Sequence, residues 1–358
     1  MSNLTVPTSA TGTACATQEQ MIQRTSNLFF NNVYWNILFH VLFFLFSPFA
    51  IKKLLKTAYF QTSTVILLIS NISFGGLHNL VYLVIQLWSL ERSYTYKSDP
   101  CSIMFTEYEC FPFYRLNILS RLLVMFNYIF LAIDILLNLR NIREPTKARG
   151  YVFIVFTFIT SVALCAYMTG DGPNGNIMAN CLSRTGRDLN ELKGQLWIYV
   201  GMIVFSFLLN VFSFLMSWSR NKVRQGNVNK TYQNIVNFNS SRFLLITATV
   251  SMLIMVVYPT GVLCLVGLVD TYDRSVLGNY VLWVYTYTYA SLVLPASLFF
   301  YITYIERKRK NQVNGEVKNV EAAEKVQNHH FKDLENLWEV GFEKAVKAGK
   351  QPALTPVE

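Results

Sequence analysis

The chain has 358 residues, of which 52% are apolar and 15% are charged, and its mean hydropathy is +0.30. A soluble globular protein carries roughly a quarter charged residues, so charge this sparse cannot cover a surface that faces water. The composition therefore excludes an ordinary cytosolic enzyme and a disordered regulator, and it indicates a protein whose solvent is lipid.

Seven segments have the roughly 20 mostly apolar residues that a helix needs to cross the hydrocarbon. In chain order they are Val33–Ile51, Ser63–Leu87, Leu116–Leu139, Tyr151–Met168, Leu196–Trp218, Phe243–Val269 and Tyr280–Tyr304. The predicted fold is an all-α membrane protein, a bundle of seven transmembrane helices. It divides the chain into an N-terminal segment (1–32), the seven-helix domain (33–305) and a tail (306–358).

Apolar residues recur at helical spacing in the tail, which predicts an amphipathic helix there. They are Phe331, Leu334, Trp338 and Phe342, and Lys and Glu residues lie between them. The tail helix is expected to lie on the inner leaflet or a partner, or to be a short helix exposed to solvent.

The distribution of charge between the loops predicts the orientation of the bundle. The connections after odd-numbered spans, with the start of the tail, hold sixteen basic and two acidic residues, whereas the opposite side holds eight basic and ten acidic ones. Because loops rich in Lys and Arg stay in the cytoplasm, the N-terminus is expected outside and the C-terminus inside. This topology accounts for the net charge of +10, so the implied partner is the lipid bilayer and not a nucleic acid.

Several classes of membrane protein fit these residues poorly. Only His40 and His78 lie within spans, which is too few ligands for a zinc hydrolase, so we expect no metal, no cofactor and no catalytic residue. Internal repeats typical of transporters and charge rings typical of channels are not evident. Seven helices with an outside N-terminus fit a receptor coupled to a heterotrimeric G protein. The alternative is a seven-helix transporter or scaffold without such coupling.

Cysteines and a glycosylation motif agree with the predicted orientation. Four cysteines are expected on the outer, oxidising side, namely Cys15, Cys101, Cys110 and Cys181. Four cysteines allow three pairings, and their positions alone do not choose between them. Asn3 heads an Asn-Leu-Thr triplet on the same side and is a candidate for glycosylation.

Short motifs along most of the chain are similar to those of a known family. They are Cys15-Ala16-Thr17, Asp99-Pro100-Cys101, Cys110-Phe111-Pro112-Phe113-Tyr114, Asp171-Gly172-Pro173 with Cys181, Trp283-Val284-Tyr285-Thr286-Tyr287, and Leu294-Pro295 before the basic run from Arg307. In order and spacing they resemble the nematode serpentine receptors of class alpha, the Sra chemoreceptors.

The resemblance implies a chemosensory G-protein-coupled receptor in the plasma membrane of sensory neurons. Its ligand is expected to be a small-molecule or odorant cue, and its cytoplasmic partner a heterotrimeric G protein. In seven-helix receptors a bridge between the third span and the second outer loop is common, which favours Cys110–Cys181 and leaves Cys15 to pair with Cys101.

The end of the third span departs from the family pattern. The family usually has Ile-Glu-Arg where this chain has Asn138-Leu139-Arg140, so the arginine is kept and the acid is lost. Arg140 is the candidate contact for the G protein, because a guanidinium offers several donors to backbone carbonyls. The alternative is an arginine that only obeys the charge rule for cytoplasmic loops. The missing acid leaves the strength of coupling open.

Candidate residues for ligand binding and for movement lie within the spans. Pro259 and Pro295 are expected to kink the sixth and seventh helices. Asp134 is expected to pair with a polar neighbour such as Asn71 or His78, or to act in the switch. The candidate pocket residues are Phe113, Tyr114, Arg121, Tyr258, Trp283 and Tyr287. Arg121 is expected to meet an anionic ligand or an acid of an outer loop, and the aromatic residues alternatively form lipid-facing belts.

Overall fold

A computed structural model describes residues 15–56, 59–140, 147–170, 172–173, 177–178, 181–182, 189–222, 228–268 and 274–347. Its helices are α1 (Gln18–Thr25), α2 (Asn27–Lys56), α3 (Thr62–Thr95), α4 (Glu107–Arg140), α5 (Lys147–Thr169), α6 (Leu189–Lys222), α7 (Val228–Gly267), α8 (Arg274–Trp283) and α9 (Tyr287–Lys347). Strands β1 (Phe105–Thr106) and β2 (Ile177–Met178) pair in antiparallel fashion.

The structure confirms the seven-helix architecture. Within the described part of the chain, seven segments are long and apolar enough to cross a bilayer, and they correspond in order to the seven predicted spans. The first six are α2 to α7, and the seventh, Gly278–Lys308, joins the end of α8 to the first part of α9. The chain is thus a multi-pass membrane protein.

Helix α4 lies at the centre of the bundle. In its most apolar stretch 72% of the residues are buried, against 28% in α2, α6 and α7. Its interior positions include polar side chains that are almost inaccessible, namely Asn117, Ser120, Arg121, Asn127 and Asp134. Since polar groups are costly at membrane depth, they must find partners on neighbouring helices, and these partners define the candidate sites.

The start of α4 differs from the prediction. The apolar pattern placed it at Leu116, but the helix begins at Glu107, so Cys110 lies within its first turns. The reason is a capping box in which the Thr106 hydroxyl accepts from the Glu109 amide at 3.3 Å and the Glu109 carboxylate accepts from the Thr106 amide at 2.9 Å. Thr-x-x-Glu is visible in the sequence, whereas a hydropathy pattern only detects the part of a helix that meets lipid.

A polar chain of hydrogen bonds joins α2, α3 and α9 inside the bundle. His40 Nδ1 lies 2.8 Å from the Asn79 side-chain oxygen, and the Asn79 amide donates to the Ser291 hydroxyl at 2.6 Å. A Cβ atom at Gly75 would lie 3.4 Å from the Phe43 ring and 3.5 Å from Ser291, so the small residue allows these helices to approach closely. The three helices are therefore held in register by side chains as well as by packing.

The chain forms two compact units, one that ends at Phe299 and one that begins at Phe300. The second unit contains the helical tail, because α9 continues to Lys347. Phe331 and Leu334 are exposed there, at 58% and 41% of their maximal area. Two of the four predicted stripe residues are therefore exposed, and the amphipathic role of the tail stays a prediction.

Candidate functional site

Two disulfides tie the connections at one end of the bundle, which we call the disulfide end. Cys15 is bonded to Cys101 and Cys110 to Cys181, the pairs that the family resemblance favours. In the turn that carries Cys101, the Ser102 hydroxyl and the Cys101 amide donate to Asp99, which holds the pKa of that carboxyl below its usual value. Strand β2 lies in the same connection as Cys181, so this connection is fixed to α4 by a covalent bond and by the sheet.

An aromatic residue clamped by two guanidiniums fixes the disulfide end to the helices below. The Phe105 ring is fully buried, with the Arg24 guanidinium 5.2 Å and the Arg92 guanidinium 4.5 Å from its centre. Arg92 also donates to the Met104 carbonyl at 2.5 Å and pairs with Glu109 at 2.7 Å. Cation–π contacts and charge-assisted hydrogen bonds hold long side chains in fixed positions, so the surface at this end of the bundle is ordered.

The seventh span is interrupted inside the bundle. Between α8 and α9, Tyr285 and Thr286 are not helical, and the Thr286 hydroxyl donates to the Ile254 carbonyl of α7 at 2.5 Å. Residues two apart on a helix point in different directions, yet Tyr285 and Tyr287 are both buried and both contact Arg121. Irregular backbone at membrane depth occurs where protein surrounds it or where it lines a cavity, so the break marks a candidate site.

Four tyrosine rings contact the guanidinium of Arg121. Its central carbon lies 5.3 Å from the ring centre of Tyr199, 5.5 Å from Tyr258, 5.6 Å from Tyr285 and 5.3 Å from Tyr287. The rings come from α6, α7 and the seventh span, while Arg121 belongs to α4. We call Arg121 and these four residues the tyrosine cage.

The cage holds a buried charge that is only partly satisfied. Arg121 is 3% exposed, and its Nε donates to the Asn117 carbonyl at 3.3 Å. Its Nη1 is buried without a hydrogen-bond partner, and no carboxylate of the described residues pairs with it. Burying a cation without an opposite charge is costly, and a desolvated cation–π contact returns about 2 kcal/mol. The cage therefore contains a buried donor that has no acceptor among the described residues.

A hydrogen-bonded group of polar residues positions one wall of the cage. The Tyr285 hydroxyl donates to the Asn117 side-chain oxygen at 2.8 Å and lies 3.2 Å from His78 Nε2. On its other side, His78 Nδ1 lies 3.1 Å from the Ser120 hydroxyl. His78 is thus a structural partner of the cage, and it joins α3 to α4 and to the seventh span.

The structure brings together three of the six predicted pocket residues, namely Arg121, Tyr258 and Tyr287. Phe113 packs instead against Trp88, with ring centres 5.7 Å apart. Tyr114 is buried, and the Trp283 indole nitrogen is buried without a hydrogen-bond partner.

Sequence reasoning missed two members of the cage, Tyr199 and Tyr285. Tyr199 was available as an outer-half aromatic residue of the fifth span. Tyr285 reaches the cage because the helix is broken beside it, and the chain has no proline or glycine between 284 and 286 that would have signalled the break.

Gly261 of α7 packs closely against the break in the seventh span, so a substitution at Gly261 tests the geometry of the break. A Cβ atom at Gly261 would lie 2.9 Å from a methyl carbon of Val284. We expect Gly261→Ala to lower the thermal unfolding midpoint of the purified protein, because overpacking costs about 1–3 kcal/mol and the branched Val284 side chain has little freedom to yield. Gly267→Ala in the same helix is the matched control, since nothing lies within 4 Å of that position. Restoration by the added change Val284→Ala would support the contact, and an unchanged midpoint in Gly261→Ala would exclude it.

A second buried polar cluster lies toward the other end of α4. The Asp134 carboxylate, which is fully buried, pairs with Arg149 of α5 at 2.8 Å and accepts from the hydroxyls of Ser63 at 2.9 Å and Thr64 at 2.8 Å. Asn138 completes this group, which we call the Asp134 cluster, because its amide donates to Asp134 at 3.2 Å and its oxygen accepts from Arg149. The cluster joins α3, α4 and α5.

The expected partners of Asp134 were wrong. Asn71 donates to the Val124 carbonyl at 3.5 Å, and His78 belongs to the cage wall. The true partner, Arg149, had been counted among the basic residues of a cytoplasmic loop. Gly150 explains how it reaches Asp134, because a Cβ atom there would lie 3.2 Å from Ile66, so α5 approaches α3 closely at this point.

The remaining predicted residues have positions but no tested role. Arg140 is the last residue of α4, at the end that carries the Asp134 cluster. Pro259 and Pro295 lie inside α7 and α9, and a kink at either stays a prediction. Asn3 lies outside the described residues. Among the residues that are described, no group of three His, Cys, Asp or Glu side chains is placed to hold a metal ion.

Comparison with known proteins agrees with this architecture. The family model described as "Serpentine type 7TM GPCR chemoreceptor Sra" matches residues 10–338. The chain is 28% identical to serpentine receptor class alpha-10 of Caenorhabditis elegans, over 93% of this chain and 99% of that protein. It is 25% identical to serpentine receptor class alpha-32 of the same organism, over 88% and 93% of the two chains. The Caenorhabditis briggsae class alpha-10 receptor is 28% identical, over 92% and 99%.

Proposed function

Because this chain belongs to the Sra family of serpentine seven-transmembrane chemoreceptors, we propose that it binds a small molecule within the bundle, in the half nearer the disulfide end, and activates a heterotrimeric G protein at the opposite end. Membership of a receptor family makes chemoreception the general role. The ligand, the coupling partner and the residues that serve them are the subject of this proposal.

Loop charge supports an outside N-terminus. The connections at the end opposite the disulfides hold sixteen basic residues and two acids, and such loops stay in the cytoplasm. Disulfides form and persist on the oxidising side of a membrane, which agrees with this orientation. Residues 1–32 are then extracellular and residues 306–358 cytoplasmic, in a receptor of the plasma membrane. Its place in sensory neurons follows from the family resemblance.

The tyrosine cage is the observation that carries the ligand-binding proposal. It lies between α4, α6, α7 and the broken seventh span, where four elements share one set of contacts. Ligand sites are largely apolar with a few convergent polar groups, and the cage has this composition. A ligand that contacts all four elements shifts the population toward the arrangement that it fits best.

Arg140 is proposed as the contact for the G protein. It ends α4 at the predicted cytoplasmic face, and α4 also carries the Arg121 of the cage, so one helix links the two sites. A guanidinium presents several donors in a fixed geometry, which suits the carbonyl groups at the end of a partner helix. Pro259, on the cage side of α7, is proposed as a hinge because it removes one helix hydrogen bond.

The proposal is tested in cells that carry the receptor with an N-terminal epitope tag, a set of G-protein α subunits and a second-messenger reporter. We expect at least one small organic compound to evoke a response. Arg140→Ala should abolish that response while the tag on intact cells stays at the level of the unchanged receptor. Arg143→Ala, in the same predicted loop, is the matched control and should keep the response.

Two results would each contradict a different part of the proposal. Compounds that bind the purified receptor but evoke no response with any α subunit would exclude coupling and favour a transporter or scaffold. A full response in Arg140→Ala would leave the receptor function intact and remove the role of Arg140.

A further inference from the structure

We propose that the ligand of the tyrosine cage is a small organic acid, a monoanion whose carboxylate binds the Arg121 guanidinium while its apolar body lies against the tyrosine rings. The inference rests on the proposed function and names the chemical class of its ligand. It is carried by the charge, the burial and the unpaired donors of the cage.

The charge of Arg121 is not compensated by an acid among the described residues. Its side chain is 3% exposed inside a membrane span. Among the described residues, its guanidinium makes one hydrogen bond, from Nε to the Asn117 carbonyl, and four cation–π contacts with tyrosine rings. A ring face attracts a cation through its quadrupole, which is weaker than the attraction of a full negative charge at the same depth. The bound state that satisfies this guanidinium best therefore contains an anion.

The acids of α4 cannot supply that anion. Glu107, Glu109 and Asp134 are fourteen, twelve and thirteen residues from Arg121, which at 1.5 Å per residue is about 18–21 Å along the helix. Glu109 and Asp134 are also engaged, Glu109 by Arg92 at 2.7 Å and Asp134 by Arg149 at 2.8 Å. The oxygens of Asn117 are dipoles without a full charge, so no described residue neutralises Arg121, and we assign the negative charge to the ligand.

Three buried donors of the cage lack a hydrogen-bond partner among the described residues. Besides Arg121 Nη1, the hydroxyls of Tyr199 and Tyr287 are buried without a hydrogen-bond partner, and their ring centres are 6.3 Å apart and each 5.3 Å from the guanidinium carbon. A carboxylate accepts from a guanidinium and from a phenol with short, charge-assisted hydrogen bonds. One oxyanion at this place satisfies a cation and two hydroxyls that otherwise have nothing to donate to.

The charge and the aromatic surface of the cage indicate the charge and the body of its ligand. Arg121 is the single basic side chain of the cage. His78 is not a member of it and is hydrogen-bonded to the Tyr285 and Ser120 hydroxyls. One positive charge matches a monoanion and leaves the second charge of a phosphate ester uncompensated in a medium of low polarity. Four aromatic faces favour an aromatic or short aliphatic body over a polar one.

The test measures binding directly, without a G protein. The full-length receptor is purified in detergent, and its thermal unfolding midpoint is followed with sodium benzoate, phenylacetate and hexanoate, with the primary amide of each, and with sodium chloride. A ligand that binds only the folded state raises the midpoint in proportion to its saturation. We expect at least one carboxylate to raise it by several degrees while its amide and chloride do not.

Variants of the cage locate the binding. In Arg121→Met the carboxylate-induced shift should disappear, whereas Arg115→Met, an exposed arginine of the same helix that contacts Phe111, should keep it. The unliganded midpoint of Arg121→Met should stay equal or rise, because the change removes a buried charge that lacks an acid. Tyr287→Phe keeps the ring and should lower the affinity for the carboxylate about tenfold by loss of one charge-assisted hydrogen bond.

The outcomes separate this inference from the proposed function. A shift given equally by the amides, by chloride alone or by none of the carboxylates overturns the inference, and so does a carboxylate shift that persists in Arg121→Met. If Arg121→Met does not fold, two other measurements test the inference. They are the comparison of each carboxylate with its amide in the unchanged receptor, and the carboxylate affinity of Tyr287→Phe. Carboxylate binding without any second-messenger response would support the inference and contradict G-protein coupling, whereas a response to neutral compounds alone would do the reverse.

Discussion

Replacing Asp134 with alanine is expected to unfold the receptor or to remove it from the cell surface. The carboxylate is fully buried and holds Arg149, Ser63 and Thr64 at 2.8–2.9 Å. Its loss leaves a guanidinium that is itself largely buried, with a side-chain exposure of 19%, without an opposite charge. Removing one partner of a buried ion pair costs about 3–5 kcal/mol, which is a large part of the stability of a folded domain.

Surface level of a tagged receptor and the thermal midpoint of purified protein measure this effect. Arg149→Ala is expected to be destabilising as well, and the double variant should be less so than the sum of the two, by about 1–3 kcal/mol, because the two side chains are in contact. Glu335→Ala, an exposed acid of α9, is the control and should be neutral. Additive effects of Asp134→Ala and Arg149→Ala would show that the pair makes no energetic contribution.

The Asp134 cluster also bears on the departure from the family at the end of the third span. Where the family usually has an acid beside the arginine, this chain has Leu139, which is buried. The acid of this region is Asp134, and Asn138 links it to Arg149 by donating with its amide and accepting with its oxygen. An ion pair at this end of α4 is therefore made with α5 and not with the neighbouring residue in the chain.

The number of spans could be predicted from the sequence because it depends on a property of single segments. A run of about 20 apolar residues with its backbone bonds satisfied internally is stable in lipid whatever it packs against. The start of α4 was also available, since Thr106 and Glu109 form a Thr-x-x-Glu capping box. It was missed because the box lies outside the apolar run.

The tyrosine cage and the Asp134 cluster could be predicted only in part, because both depend on contacts between helices. Arg121 and Asp134 stood out as charged residues inside apolar segments, which is a property of each residue alone. Their partners did not stand out. Tyr285 contacts Arg121 only because the seventh span is broken beside it, where Thr286 is hydrogen-bonded to α7, and Arg149 reaches Asp134 only because α5 approaches α3 closely at Gly150. No periodicity along a single helix contains that information.

Removal of the Cys110–Cys181 disulfide is the second change with a large expected effect. The two residues are 71 positions apart, so the bond closes a long loop of the unfolded chain, and loss of such a bridge costs about 2–5 kcal/mol. The double variant Cys110→Ser with Cys181→Ser avoids a free thiol that would pair with Cys15 or Cys101. We expect a lower thermal midpoint, measured by tryptophan fluorescence, together with a smaller fraction of receptor at the cell surface.

A large loss of stability is expected because the Cys110–Cys181 bond and the two-stranded sheet hold the same connection, the one between α5 and α6. β2 has only two residues paired with β1, and so short a pairing is marginal in water without further support. Cys264→Ser, at an exposed free cysteine of α7, is the matched control and should leave the midpoint unchanged. If the double variant kept the midpoint of the unchanged receptor, the sheet and the Arg92–Glu109 pair at 2.7 Å would suffice to hold the disulfide end, and the covalent bond would not be required.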